Sequence, residues 1–140
     1  MDRGKFDAPV MASKLKTLLQ GQRIDVILSS TSQRTRETLV PFAKAFEIDS
    51  MHIIYDPKLY LADSEYLLDA LFQVPDEFDS ILLFAHNPGM TDLANEVSSS
   101  PIENVPTSGI FKVEFQTDFW TDVNLGCSKM GFFIYPKMYK

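Results

Sequence analysis

The chain has 140 residues, of which 45% are hydrophobic and 23% charged, with a formal net charge of −6 at pH 7. This length and composition are typical of one globular domain with a sizeable core, so we expect residues 1–140 to form a single domain. The acidic balance argues against nucleic acid as a partner, because nucleic-acid binding depends on Lys and Arg side chains that neutralise phosphates.

The cellular setting can be narrowed from a few residue counts. The single cysteine, Cys127, cannot form an internal disulfide, which is typical of a reducing cytoplasm. No apolar run approaches the ~20 residues that span a bilayer, and the first residues lack the apolar segment of a signal peptide. We therefore expect a cytoplasmic protein with no membrane partner. No Cys/His cluster has the spacing of a metal site, so we expect neither a metal nor another cofactor.

The first half of the chain alternates helices and strands. Apolar residues at helical spacing predict a helix at about residues 6–20, with Asp7 and Pro9 in its first turn. A short, mostly buried strand is predicted at 24–28. Ser32 is a suitable N-cap for a helix over about 33–46, although Pro41 inside it should produce a kink.

The second half continues the alternation and then changes pattern. A strand at 51–55, a helix at 65–73, a strand at 81–85 and a helix at 88–97 are predicted. Residues 111–116 alternate apolar and polar side chains, and 131–135 form the last predicted strand. These last two strands look like an antiparallel pair beside an otherwise parallel sheet. The order of elements predicts a three-layer α/β/α fold.

The stretch from Ile81 to Gly89 is the centre of the predicted site. Its apolar run suits a strand buried on both faces of a parallel sheet, and the run stops at His86. Asn87 is a good N-cap and Pro88 a good first helical residue. His86 would then lie at the carboxyl end of a strand, beside the free N–H groups of a helix, which is a geometry that binds anions.

A second polar group follows another strand of the same predicted sheet. Ser29 and Ser30 end the strand at 24–28, and Arg34 lies in the first turn of the next helix. A cation is unfavourable there because of the helix dipole. Either Arg34 pairs with Glu37 one turn on, or a bound anion offsets its charge. Since the carboxyl ends of parallel strands meet at one edge, the two groups together predict a phosphate-sized site.

These motifs resemble the histidine phosphatase superfamily, which has the phosphoglycerate-mutase-like fold. The resemblance rests on Ser29, Ser30, Arg34 and Thr38 followed by the turn from His86 to Gly89. Further matching segments lie at 3–12, 56–60, 106–109 and 132–137, so the resemblance covers nearly the whole chain. Within this superfamily, the sequence more specifically resembles the SixA-type protein phosphohistidine phosphatases.

The resemblance implies roles for several residues. Arg34 resembles the family's second arginine, which would neutralise phosphoryl oxygens through a bidentate fork. His86 resembles its second histidine, which would stabilise charge on the transferring group, and the backbone N–H of Asn87 would add a donor. Ser30 would complete the binding set. Arg34 and His86 are therefore the expected catalytic residues, and no metal is expected.

The sequence also departs from the family pattern. The family forms a phosphohistidine intermediate on the histidine of an Arg-His motif in its first strand, and this sequence contains no such motif. His52, the other histidine, is expected to be a surface or strand-edge residue. We expect a fold that lacks the family's first strand, and therefore low stability or pairing of an open strand edge with another molecule, including self-association.

Three functions follow as alternatives. The first is a phosphohistidine phosphatase that acts on histidine-phosphorylated signalling proteins, with a nucleophile that this sequence does not contain. The second is a catalytically inactive module that binds phosphate or a phosphoprotein. The third is a small-molecule phosphomonoesterase, which Leu61 disfavours because many relatives carry an acidic residue at that position.

Overall fold

The computed structural model describes residues 3–140, with side chains from residue 6 onward, so Met1 and Asp2 lie outside it. Four helices are present: α1 (Arg3–Leu18), α2 (Gln33–Ala45), α3 (Ser64–Ala70) and α4 (Gly89–Val97). Five strands accompany them: β1 (Val26–Ser29), β2 (Ile53–Tyr55), β3 (Ile81–Phe84), β4 (Ile110–Phe115) and β5 (Ser128–Ile134). Each predicted helix and strand therefore has a counterpart.

The first three strands form a parallel sheet in the order β2-β1-β3. In the middle strand every residue is buried, because Val26 and its neighbours contact a strand on each side and helices on both faces. The pairing aligns Ser29 with Phe84, so β1 and β3 end side by side. This register brings the residues that follow the two strands together.

The last two strands form a separate antiparallel sheet. Their register joins Ile110 to Ile134 and Phe115 to Ser128, with an irregularity between Lys112 and Val113. The predicted antiparallel pair is thus present, but among the described residues it shares no ladder with the parallel sheet.

The prediction that β3 is covered on both faces is confirmed only in part, because its residues pack against a core cluster on each face but are not fully buried. Its four residues, Ile81–Phe84, are all only partly buried. The reason is the position of the strand: β3 pairs with β1 along one edge, and the described residues provide no strand for its other edge. An apolar run predicts that a strand is covered but does not identify the neighbours that cover it.

Helices cover the two faces of the parallel sheet, which gives the three layers that the sequence predicted. On one face, α1 and α2 pack with Leu82 and Phe84 of β3 and with Ile134 of β5. On the other face, α3 and α4 pack with alternate residues of the same strands, such as Val26 and Leu83. The helix α1 therefore contacts residues of both sheets.

Helix α1 begins earlier than its capping residues predicted. Asp7 and Pro9 were expected in the first turn, but the helix starts at Arg3 and Pro9 lies inside it. Asp7 is instead a buried side chain that pairs with the Lys140 ammonium at 3.1 Å, which connects α1 to the end of the chain. No helix within residues 3–140 is both long and apolar enough to cross a membrane.

Candidate anion-binding site

The carboxyl ends of β1 and β3 bring Ser30 and His86 into contact. The Ser30 N–H donates to the Phe84 carbonyl at 3.0 Å, which extends the ladder one residue beyond the strands. Two residues later, His86 Nε2 lies 2.9 Å from Ser30 Oγ. The sequence predicted that both residues belong to one site, and the structure places them within hydrogen-bonding distance across 56 residues of sequence.

Hydrogen bonds of two side-chain hydroxyl groups hold the N-terminus of α2 next to the contact between Ser30 and His86. Ser32 caps the helix as predicted, because its side chain accepts a hydrogen bond from the Thr35 N–H at 3.3 Å. Thr35 Oγ1 in turn donates to the Ser30 carbonyl at 2.9 Å. Thr35 was not identified from the sequence, although a threonine three residues after a capping serine is the signal that could have indicated it. The first turn of α2 is therefore held in place around fully buried Ser30.

Arg34 extends from this turn as an exposed cation. The alternative in which it pairs with Glu37 is not observed, and Arg34 forms no salt bridge with any residue from 6 to 140. It lines the same cavity as His86 and Asn87. An unpaired cation near free helical N–H groups is stabilised when an anion binds beside it.

The environment of His86 disfavours its charged form. Partial burial lowers the pKa of the imidazole, and the nearby Arg34 guanidinium lowers it further. At neutral pH the ring is therefore neutral and can either donate to or accept from Ser30 Oγ. A bound anion would reverse the effect of Arg34 on the pKa, because its negative charge favours the imidazolium.

Asn87 does not cap α4 as the sequence predicted. The helix begins at Gly89, and Pro88 occupies the cap position after a cis peptide bond. The Asn87 side chain instead accepts from the Thr91 N–H at 3.1 Å and donates to the Val105 carbonyl at 2.8 Å. It thus joins α4 to the loop before β4. The Asn87 backbone N–H has no hydrogen-bond partner among the described residues and stays free to donate.

An aromatic side chain covers one side of the imidazole. The Tyr60 ring centroid lies 5.0 Å from that of His86, with the two planes tilted by 58°. Tyr60 lies in the segment 56–60 that matches the family, but nothing in its sequence neighbourhood indicates contact with a residue 26 positions away. Leu61 beside it has an apolar side chain that is 87% exposed, so this position supplies no proton donor to the site.

The other histidine of the chain, His52, does not lie in this site. His52 packs its ring against Phe78, with 5.6 Å between the centroids, near the amino ends of β2 and β3. It is therefore at the opposite end of the sheet from His86. The part of the chain that the structure describes also contains no group of three or more His, Cys, Asp or Glu residues able to hold a metal.

Three of the solved structures with a similar fold are SixA proteins. A SixA protein from Agrobacterium tumefaciens is 27% identical, with a TM-score of 0.65, over 93% of this chain and 78% of that one. The protein histidine phosphatase SixA in complex with tungstate is 22% identical, with a TM-score of 0.78, over 100% of this chain and 85% of that one. A SixA protein from Nakamurella multipartitia is 18% identical, with a TM-score of 0.79, over 97% and 84% of the two chains.

These likenesses confirm the fold that the motifs predicted. The chain has the SixA-like fold of the histidine phosphatase superfamily, and a phosphoglycerate mutase from Plasmodium falciparum shares it over 66% of this chain. No family model matches the sequence, and no curated protein matches it either.

Proposed function

We propose that the site formed by Ser30, Arg34, His86 and the Asn87 N–H binds a phosphoryl group and belongs to a protein phosphohistidine phosphatase. The observation that carries this proposal is the arrangement around His86. A neutral imidazole lies 2.9 Å from buried Ser30, beside a guanidinium that no described carboxylate neutralises. Such a site attracts an anion with several acceptor oxygens.

Each group has a distinct role toward a phosphoryl oxygen. Arg34 presents a planar fork that can donate two parallel hydrogen bonds, and its charge offsets that of the phosphoryl group. His86 donates a third hydrogen bond once it is protonated, and the Asn87 N–H donates a fourth. Phosphoryl transfer depends mostly on positioning and electrostatic stabilisation, so these donors are the chemistry that the site would supply.

The proposal is supported by a ligand in a related fold. The SixA protein that covers all of this chain was solved with tungstate, a tetrahedral oxoanion of phosphate-like shape. By resemblance to that family, the phosphoryl group would come from a phosphohistidine on a cytoplasmic signalling protein. An in-line transfer to an enzyme histidine would be followed by hydrolysis.

A phosphate-binding module without turnover is the second candidate, and the position of His52 favours it. The sequence contains two histidines, and His52 lies at the other end of the sheet from His86. Neither histidine is therefore placed to receive a phosphoryl group that Arg34 and His86 hold. For the 140-residue chain we expect anion binding and near-zero turnover of para-nitrophenyl phosphate or of a phosphohistidine protein.

Calorimetric titration with tungstate tests the binding. We expect saturable binding to the chain, at least tenfold weaker binding to Arg34→Ala because a charged hydrogen bond is lost, and weaker binding to His86→Gln. Arg23→Ala removes the same charge from a residue paired with Asp25, and His52→Gln removes the other histidine. Equal weakening by Arg34→Ala and Arg23→Ala would show that tungstate responds only to net charge and would contradict the proposal.

A further inference from the structure

A buried carboxylate lies between the anion-binding site and helix α3. Asp56 follows β2 directly and is 7% exposed, yet it forms no salt bridge with any residue from 6 to 140. Its Oδ1 accepts a hydrogen bond from the Lys58 N–H at 3.0 Å. Its Oδ2 accepts one from the Tyr66 hydroxyl at 2.7 Å and one from Gln73 Nε2 at 3.0 Å. Three donors from three places in the chain therefore converge on one carboxylate.

These hydrogen bonds keep Asp56 ionised in spite of its burial. Burial by itself would raise the pKa of Asp56, but the hydrogen bonds from Tyr66, Gln73 and the Lys58 N–H outweigh it, so that the pKa lies below its ordinary value. The hydrogen bond to Asp56 also raises the pKa of Tyr66, whose hydroxyl therefore remains a donor. Because hydrogen bonds to a charged acceptor are strong and directional, the network fixes the relative positions of its donors.

The backbone of Asp56 connects this network to the sheet edge where the anion-binding site lies. Its N–H donates to the Ser29 carbonyl at 2.8 Å, directly beyond the pairing of Ser29 with Tyr55. Asp56 also caps the short helical turn Pro57–Leu61, here called the Tyr60 turn. One residue thus joins the end of β1, next to Ser30, to the start of the Tyr60 turn.

The Tyr60 turn is held at two further points. Leu59 is fully buried in the core that contains α3 and α4, and the Ala62 carbonyl oxygen, just after the turn, occupies the space of a Cβ at Gly89. Tyr60 itself is 54% exposed. The backbone of the turn, rather than burial of the side chain, therefore decides where the Tyr60 ring lies.

The Tyr60 ring restrains the imidazole of His86. The hydrogen bond that the described residues give this imidazole joins its Nε2 to Ser30 Oγ. A single hydrogen bond leaves a planar ring free to swing about it, whereas an aromatic ring with its centroid 5.0 Å away blocks part of that motion. The orientation of His86 toward an anion beside Arg34 therefore depends on where the Tyr60 ring lies.

We propose that Asp56 is a positioning residue of the anion-binding site and acts on His86 through Tyr60. Its carboxylate fixes the start of the Tyr60 turn relative to β1 and α3, and the turn holds the Tyr60 ring against the imidazole. Without the carboxylate, the turn and the ring move, and His86 is less well oriented toward a bound anion. This inference rests on the proposed function for its effect on anion affinity, whereas the orientation of His86 can be measured without a ligand.

NMR of the ligand-free chain tests the orientation of His86. At about pH 8, where the imidazole is neutral, the ring current of Tyr60 shifts the carbon-bound ring protons of His86. This shift should be lost in Tyr60→Ala, retained in Tyr60→Phe and reduced in Asp56→Asn. Asp7→Asn is the matched control, because it changes a buried carboxylate of α1 that pairs with Lys140, and it should leave the shift unchanged.

Calorimetric titration with tungstate tests whether Asp56 acts through Tyr60. We expect Asp56→Asn and Tyr60→Ala each to weaken binding at least about threefold, because the imidazole loses its orientation. The double variant should bind no more weakly than Tyr60→Ala alone, since two changes to one shared contact do not add. Tyr66→Phe removes one donor and should act in the same direction, so it serves as the test if Asp56→Asn does not fold.

Other outcomes would overturn the proposal. Additive losses in the double variant would show that Asp56 acts on the site by another route. Unchanged His86 proton shifts in Asp56→Asn and Tyr66→Phe would show that the network does not position the ring. Equal effects of Asp7→Asn and Asp56→Asn would mean that both act through the stability of the fold. Tungstate that does not bind the original chain would contradict the proposed function, and the NMR comparison would still decide this inference.

Discussion

At the scale of single residues, the site depends on how His86 and Arg34 share one electrostatic environment. Burial and the guanidinium both keep the imidazole neutral, and Ser30 Oγ at 2.9 Å orients it. Arg34 has no carboxylate partner among the described residues, so its charge remains available to a ligand. Both residues were predicted from the sequence, because each follows a strand and lies near a helix N-terminus. Their mutual influence could not be predicted, since it depends on strand order.

The pKa of His86 should respond to an anion. We expect NMR titration to give His86 a midpoint below 6.5, its ordinary value, because burial and Arg34 disfavour the imidazolium. Saturating tungstate should raise that midpoint, since the anion stabilises the charged ring. In Arg34→Ala the midpoint of the free chain should move upward. A midpoint above 6.5 in the free chain would contradict this description of the site.

The lowered pKa of His86 in the folded chain predicts how the free energy of unfolding depends on pH. Between the lowered pKa of folded His86 and 6.5 the unfolded chain binds more protons than the folded chain, so stability rises with pH across this window. The contribution is complete above 6.5 and is lost as the pH falls through the folded pKa. Urea unfolding at about pH 5 and about pH 8 should therefore show a larger loss on acidification for the original chain than for His86→Gln. Equal losses in the two proteins would mean that His86 does not contribute.

At the scale of elements, the helix termini around the site are held by specific short contacts. Ser32 caps α2, and the Asn87 side chain joins α4 to the loop before β4. The capping of α2 was predictable because a serine at that position has a local signature. The role of Asn87 was not, because its partners Thr91 and Val105 are set by the path of the loop.

Loss of the N-cap of α2 should make the first helical turn, and with it the position of Arg34, less well ordered. Ser32→Ala removes the acceptor of the Thr35 N–H and should cost about 0.5–2 kcal/mol of unfolding free energy, measured by urea denaturation. Tungstate affinity should fall as well, because the first turn of α2 carries Arg34. Ser13→Ala, which changes an exposed serine inside α1, is the control and should leave both quantities nearly unchanged.

The start of α4 depends on a close approach that only glycine allows. A Cβ on Gly89 would overlap the Ala62 carbonyl oxygen, which is backbone and cannot move aside easily. Gly89→Ala should therefore destabilise the chain by about 1–3 kcal/mol in thermal or urea unfolding. At Gly126 an added Cβ would meet only the end of the Asn124 side chain, so Gly126→Ala should cost much less. Equal costs would contradict the packing described here.

At the scale of the whole molecule, the order of elements and the antiparallel pair followed from sequence periodicity. The position of Ser30 and His86 at the carboxyl ends of two neighbouring strands followed from the polar residues after each apolar run. The division of the strands into two sheets could not be predicted from sequence periodicity. Ile81–Phe84 is apolar throughout, which predicts cover on both faces, but periodicity does not state which segment provides it. The contact of Tyr60 with His86 was missed for a related reason, since it depends on a turn that packs against a distant part of the chain.

The central claim is that the carboxyl ends of β1 and β3 form a phosphoryl-binding site. A crystal structure of the chain with tungstate tests it most directly, because tungsten can be located by its anomalous scattering. We predict one strong peak at a position from which tungstate oxygens lie within hydrogen-bonding distance of Arg34, His86 Nε2 and the Asn87 N–H, and no such peak in Arg34→Ala. Tungstate bound only elsewhere on the surface, or the same peak retained in Arg34→Ala, would contradict the account.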